Sequence, residues 1–147
     1  SWSTLLVPTG TAVQSRRSTL FVMDITDPYQ PELLWEKLLP GDAVVRTRGV
    51  AVDRCGSSAA AQSCIYLTAD FIGGGREGIH ALAMELESGQ ERWHFAAPYW
   101  ETGMVAEATP AVPALMDLDD DGENDTLGFG DRVGMHELRR LLRPHRR

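Results

Sequence analysis

"PELLWEKLL", residues 31–39, can be read as helix or as strand, and the choice decides the fold. Pro31 suits the first position of a helix, and Leu34, Trp35 and Leu38 recur at helical spacing. A comparison within the chain removes the ambiguity. "STLFVMDITDPYQPELLWEK" (18–37) and "GIHALAMELESGQERWHFA" (78–96) follow one plan: an apolar strand, an acidic turn, then a strand bearing Trp. Trp35 falls on Trp93 and "DITDP" on "ELESG", with a longer turn in the first copy. A third, partial copy is expected from "GFGDRVGMHEL" (128–138).

Elsewhere the chain alternates short β-branched and apolar runs with Gly, Pro and Asp, the pattern of an all-β fold. Strands are expected at Ser3–Val7, Thr19–Ile25, Val44–Val52, Cys64–Ala69, Ile79–Glu85, Glu91–Phe95, Val112–Met116 and Thr126–Phe129. Strand-and-turn repeats of this length predict propeller blades, each burying its faces against its neighbours. Two or three blades cannot close a ring that needs at least four. Residues 1–147 therefore read as one domain, a partial β-propeller or a solenoid-like fragment leaning on further sequence. The start at Ser1, without a basic or apolar leader, fits a piece of a longer or processed chain.

"AMELESGQERW", residues 83–93, resembles the tryptophan-docking motif of quinoprotein-type propellers, A-x-D-x-x-T-G-x-x-x-W. Ala83, Gly89 and Trp93 match, while Glu85 stands for Asp and Ser88 for Thr. Gly89 permits a tight hairpin, Ser88 can bond turn backbone, and Trp93 is expected to wedge between blades, with Trp35 its counterpart. The alternative is a generic hairpin with a core Trp.

The chain of 147 residues is 43% hydrophobic and 24% charged, a globular composition. Its net charge of −7 disfavours nucleic acid and favours a cation as small partner. The apolar runs are too short to cross a bilayer as a helix. "RRLLRPHRR" (139–147) carries five arginines and reads as a frayed terminus. "CGSSAAAQSC" spaces Cys55 and Cys64 around small, flexible residues that let the sulfurs meet, so a disulfide is expected, with two free thiols as the alternative. A disulfide would imply a periplasmic or extracellular compartment.

"MDLDDDGENDT" (116–126) crowds five acids at alternate positions. Asp117, Asp119, Asp121 and Asp125 occupy positions 1, 3, 5 and 9 of D-x-D-x-D-G-x-x-D, with Gly122 at the bend and the Glu123 carbonyl at position 7. Calcium takes six to eight oxygens from such a flexible loop, whereas magnesium wants fewer protein ligands and keeps its waters. Gly128 at position 12 removes the EF-hand reading, because the bidentate Glu belongs there. The flanks read as strands, giving a strand–loop–strand calcium loop closed by Asp125. Asp120 faces solvent on this reading. A solvated acidic turn is the competing one.

With these residues in view, the chain resembles the C-terminal propeller of PilY-type type IV pilus biogenesis proteins. The match runs through Trp2, Gly10, Phe21, Asp24, Thr26, Asp27, Pro28, Leu34, Trp35 and Glu36. It continues through Thr109, Pro110 and Ala111 before the acidic loop and Gly130 and Asp131 after it. Residues 1–35 and 65–131 are covered. The family's usual "GDLxGNLWRFD" is here "GDRVGMHELRRLL", without Trp, and residues 39–64 lack the family's usual stretch. The resemblance implies a non-enzymatic, calcium-binding module at the pilus tip or outer surface, working with pilins or attachment surfaces to support fibre extension and adhesion. Calcium would pin 112–116 to 126–129.

Two rivals follow from the same motifs: a metal-free, BamB-like scaffold propeller, and a quinoprotein dehydrogenase fragment. The enzyme needs a full ring and dispersed cofactor ligands, and this chain offers one contiguous loop. Ser63 and Ser88 have no nucleophile elbow, and His80, His94, His136 and His145 have no metal spacing. His80 and His94 alternate with apolar residues, as surface or cross-strand packing would require. "GGGREG" (73–78) lacks a P-loop's Lys and reads as a hairpin loop.

Overall fold

The computed structural model describes residues 4–9, 19–38, 44–46, 49–55, 62–72, 78–98, 112–130 and 135–139. Readings placed on Trp2, Gly10, 73–77, Thr109 to Ala111, Asp131, His145 and the tail beyond 139 lie outside the described residues. Among the described residues the chain is all-β, in three antiparallel sheets without a helix. The first sheet holds β1 (Thr4–Thr9), β2 (Thr19–Asp24) and β3 (Glu32–Leu38). The central sheet holds β4 (Val44–Arg46), β5 (Val50–Arg54), β6 (Ser63–Ile72), β7 (Gly78–Glu85) and β8 (Glu91–Pro98). The third holds β9 (Ala114–Met116), β10 (Thr126–Gly130) and β11 (Met135–Arg139).

The ambiguous segment is strand β3, paired to β2 although Leu33, Leu34 and Leu38 stay exposed. Tertiary contact overrides its helical spacing. The internal repeat is also visible in the backbone. Trp35 pairs with Val22 and Trp93 with Ala83, and in both hairpins the register shifts at the next residue, between Val22 and Met23 and between Ala83 and Met84. Such a shared bulge, where one strand gains a residue on the other, re-aims the chain at the same point of each copy. The first hairpin's turn is longer by three residues, counted between those paired positions.

Each expected strand shifts at one end or both, most by one to three residues, and four differences bear on the architecture. Val44–Val52 is two strands, β4 and β5, on successive lengths of one edge of β6. Arg46 pairs with Asp70 and Val50 with Leu67, so four steps along this edge answer three on β6. Gly49 sits in that break at φ +155°, and a Cβ there would stand 2.9 Å from Val112 Cγ2. The close approach brings the segment ahead of β9 down onto the central sheet. β9 itself begins at Ala114, after a buried Pro113 that cannot donate to a ladder. β8 runs on to Pro98, and β11 takes in Arg139, the first residue of the basic tail.

The central sheet is buried on both faces, which is why β7 is inaccessible at seven of its eight positions. One face carries Leu67, Ala69, Phe71, Leu82 and Met84 and packs on Leu20 and Trp35 of the first sheet. The other carries Cys64, Tyr66, Ile79, Ala81 and Ala83 and packs on Leu115, Leu127 and Phe129 of the third. Each fully buried Leu, Ile or Phe contributes about 1.5–3 kcal/mol, so the two faces supply most of the hydrophobic driving force.

The contact between first and central sheets is specific. Trp35 lies against Gly89, where a Cβ would meet ring atom Cδ2 at 2.8 Å. Its Nε1 donates to the Leu86 carbonyl at 2.8 Å, and Lys37 Nζ donates to the Gly89 carbonyl at 3.3 Å. Gly89 also needs its own turn conformation, φ +70°. Within that turn Ser88 Oγ accepts the Gln90 N–H at 3.2 Å and donates to the Glu85 carboxylate. Trp93 instead faces the third sheet, its ring 6.3 Å from that of Tyr66, with Ala83 buried beside it.

Candidate metal centre

The acidic loop joins β9 to β10, whose paired Met116 and Thr126 close its base. The Asp125 N–H donates to the Met116 carbonyl at 3.0 Å, one further rung. Within the loop Asp117 acts as a staple. Its Oδ1 accepts the Asp121 N–H at 3.3 Å and its Oδ2 the Gly122 N–H at 2.7 Å. Asp121 Oδ1 in turn accepts the Glu123 N–H at 3.0 Å. Two residues take left-handed backbone, Asp120 at φ +58° and Gly122 at φ +87°. Asp tolerates that region through local hydrogen bonding. Nothing lies within 4 Å of a Cβ added at Gly122, so its backbone angle alone calls for glycine.

This curl brings carboxylate oxygens of Asp117, Asp119 and Asp121 within 4.8 Å of one another. Asp117 is half-buried, and Asp119, Asp120 and Asp121 are exposed. Oxygens bound to one calcium ion at about 2.4 Å lie no more than about 4.8 Å apart, so the trio fits such a cation. The donor set is all oxygen, hard and anionic, which suits calcium rather than a soft transition metal. Asp125 is placed differently. It is 7% exposed, and its Oδ1 accepts the Leu118 N–H at 3.3 Å and the Thr126 hydroxyl at 2.8 Å. It ties the loop's base and stands outside the converging trio.

The outgoing arm of the loop leans on the central sheet. Asn124 Nδ2 donates to Asp53 Oδ2 on β5, and Asp53 Oδ1 accepts the Arg54 N–H at 2.8 Å. A cleft of about 200 Å³ lies between Asp53 and Arg54 on one side and Gly122, Glu123 and Asn124 on the other. The end of β5 is itself fixed twice. Cys55 and Cys64 form a disulfide, with Cα atoms 5.0 Å apart, and the Cys55 N–H donates to the Gln62 carbonyl at 2.8 Å. Tyr66 donates its hydroxyl to the Arg54 carbonyl at 2.8 Å. Burial, and then the Asp53 charge, push the Tyr66 hydroxyl up to about 12.

Sequence reasoning found the loop and both cysteines but not Asp53 or Tyr66. Asp53 is 71 residues from Asn124, and no local motif encodes that meeting. Of the histidines, His80 and His94 resolve as packing. His80 is buried, stacked on Phe71 with ring centroids 3.8 Å apart, and its Nδ1 lies 2.7 Å from His94 Nε2. One ring nitrogen donates and the other accepts, so at least one imidazole is neutral. His80 is thus a cross-strand packing residue and not a surface one. His136 lies on β11. Among the described residues no helix is long and apolar enough to cross a membrane. Comparison with protein-family models, curated proteins and solved structures finds no match.

Proposed function

We propose that this chain is a calcium-binding module of a partial β-propeller, in a protein of the PilY-like type that supports type IV pilus extension and surface attachment. The observation that carries the reading is the convergence of Asp117, Asp119 and Asp121 in a loop between two paired strands. On this reading the Glu123 carbonyl and Asp125 supply the remaining oxygens, Asp125 through a bridging water. Three antiparallel sheets stacked face to face, a bulge repeated in two hairpins, and Trp35 seated on Gly89 support blade architecture. The disulfide accords with a periplasmic or extracellular setting at the pilus tip or outer surface.

The module performs no chemistry on this reading. Calcium neutralises the carboxylates and locks β9 to β10, fixing the geometry of a surface that meets pilins or an attachment substrate. Sheet-to-sheet docking through Trp35 would serve a metal-free scaffold equally, so the metal response decides between them. The test is a thermal melt with and without calcium, with Asp125→Ala alongside. Calcium at a hundred times its Kd adds about 2.7 kcal/mol, a rise of roughly 8 °C for a chain of this size. A wild-type melt indifferent to calcium returns the scaffold reading.

A further inference from the structure

Beyond the loop's own oxygens, a residue from another sheet, Asp53, holds its outgoing arm. We propose that Asp53 is a positioning residue for the cation loop, acting through Asn124; the inference rests on the calcium reading above. Asn124 stands between the residues that supply positions 7 and 9, and its side-chain amide is held by Asp53 Oδ2. Asp53 cannot easily follow a moving loop. Its other oxygen is engaged by the Arg54 N–H, its backbone is registered opposite Cys64, and Cys64 is bridged to Cys55, two residues beyond Asp53.

The physical consequence is preorganisation. An isolated acidic loop must order its outgoing arm when the ion arrives, and that ordering opposes binding. Here the arm from Gly122 to Asn124 is already laid along β5, across a polar cleft wide enough for water. Charge plays a lesser part, because both Asp53 oxygens accept from N–H donors and the residue stands outside the converging trio. The role is geometric, and it is separable from a merely stabilising one.

Calorimetric calcium titration of the full chain separates them. Asp53→Ala and Asn124→Ala should each weaken binding by roughly tenfold to a hundredfold, the usual contribution of one charge-assisted hydrogen bond, and the double variant no more than either alone. The exchanged pair Asp53→Asn with Asn124→Asp keeps the net charge. The amide introduced at position 53 keeps its oxygen for the Arg54 N–H and turns its nitrogen to the new carboxylate at position 124, so affinity should recover. Wild-type binding with unchanged affinity in both single variants overturns the role of Asp53 alone. Additive losses, or no recovery in the exchanged pair, overturn it as well. Absence of calcium binding by the wild type overturns the calcium reading and this inference together.

Discussion

Trp35 of the first sheet rests on Gly89 of the central sheet so closely that a Cβ there would stand 2.8 Å from the indole. The same indole donates to the Leu86 carbonyl, so ring and N–H both read one tight turn. Replacing Trp35 by Phe keeps much of the apolar contact and loses the hydrogen bond, at about 1 kcal/mol. Trp35→Ala loses both, at about 2–4 kcal/mol, and Gly89→Ala about 2 kcal/mol from its positive φ and the clash. Urea unfolding of the three variants measures the order. Equal stability of Gly89→Ala and wild type would contradict the contact.

The Cys55–Cys64 bridge closes a short loop, with a sequence separation of 9. Chain-entropy reasoning gives such a crosslink about 2–3 kcal/mol. Reduction under native conditions should lower the denaturation midpoint by a corresponding amount. An unchanged midpoint would mean that the hydrogen bonds of β5 to β6 hold that end unaided.

Tyr66 gives the fold an alkaline limb. Its folded pKa of about 12 lies above the ordinary value of 10.0, so the neutral hydroxyl is favoured in the folded chain. The stability linked to it is fully present below pH 10 and is lost as pH rises through the folded value. Tyr66→Phe should cost about 1 kcal/mol at neutral pH, from the lost bond to the Arg54 carbonyl. The difference between variant and wild type should shrink between pH 10 and pH 12. Paired denaturation curves at about pH 8 and about pH 11 check the sign.

The loop predicts opposite signs with and without metal. Asp119→Ala removes one of three converging carboxylates, so without calcium it should stabilise the chain slightly, by about 0.5 kcal/mol. With calcium it should lose most of the metal-dependent rise in melting temperature. Gly122→Ala should destabilise by about 1 kcal/mol in either state, because its φ of +87° is disfavoured although its surroundings are open. Melting curves of both variants, with calcium and with chelator, separate the charge effect from the backbone effect.

What local sequence shows and what it hides follows from the range of each interaction. The repeat was legible because Trp35 and Trp93 recur on one plan, and the plan survives as a shared bulge. The loop was legible because D-x-D-x-D-G sets its own curl through Asp117 and Gly122. The division at Gly49 was hidden, since its reason is Val112, far along the chain. The division of labour between the tryptophans was hidden too. Trp35 reads Gly89, whereas Trp93 faces the opposite sheet, and only the stacking order decides which. Asp53 looked like any acid at a strand end until Asn124 was laid beside it.

The most direct test of the central claim is calorimetric titration of the wild type with calcium, with Asp117→Ala and Asp119→Ala as controls. The account predicts one ion per chain, bound by the wild type and not measurably by either variant, and weaker binding of magnesium. No heat of binding, or binding undiminished in both variants, would contradict it.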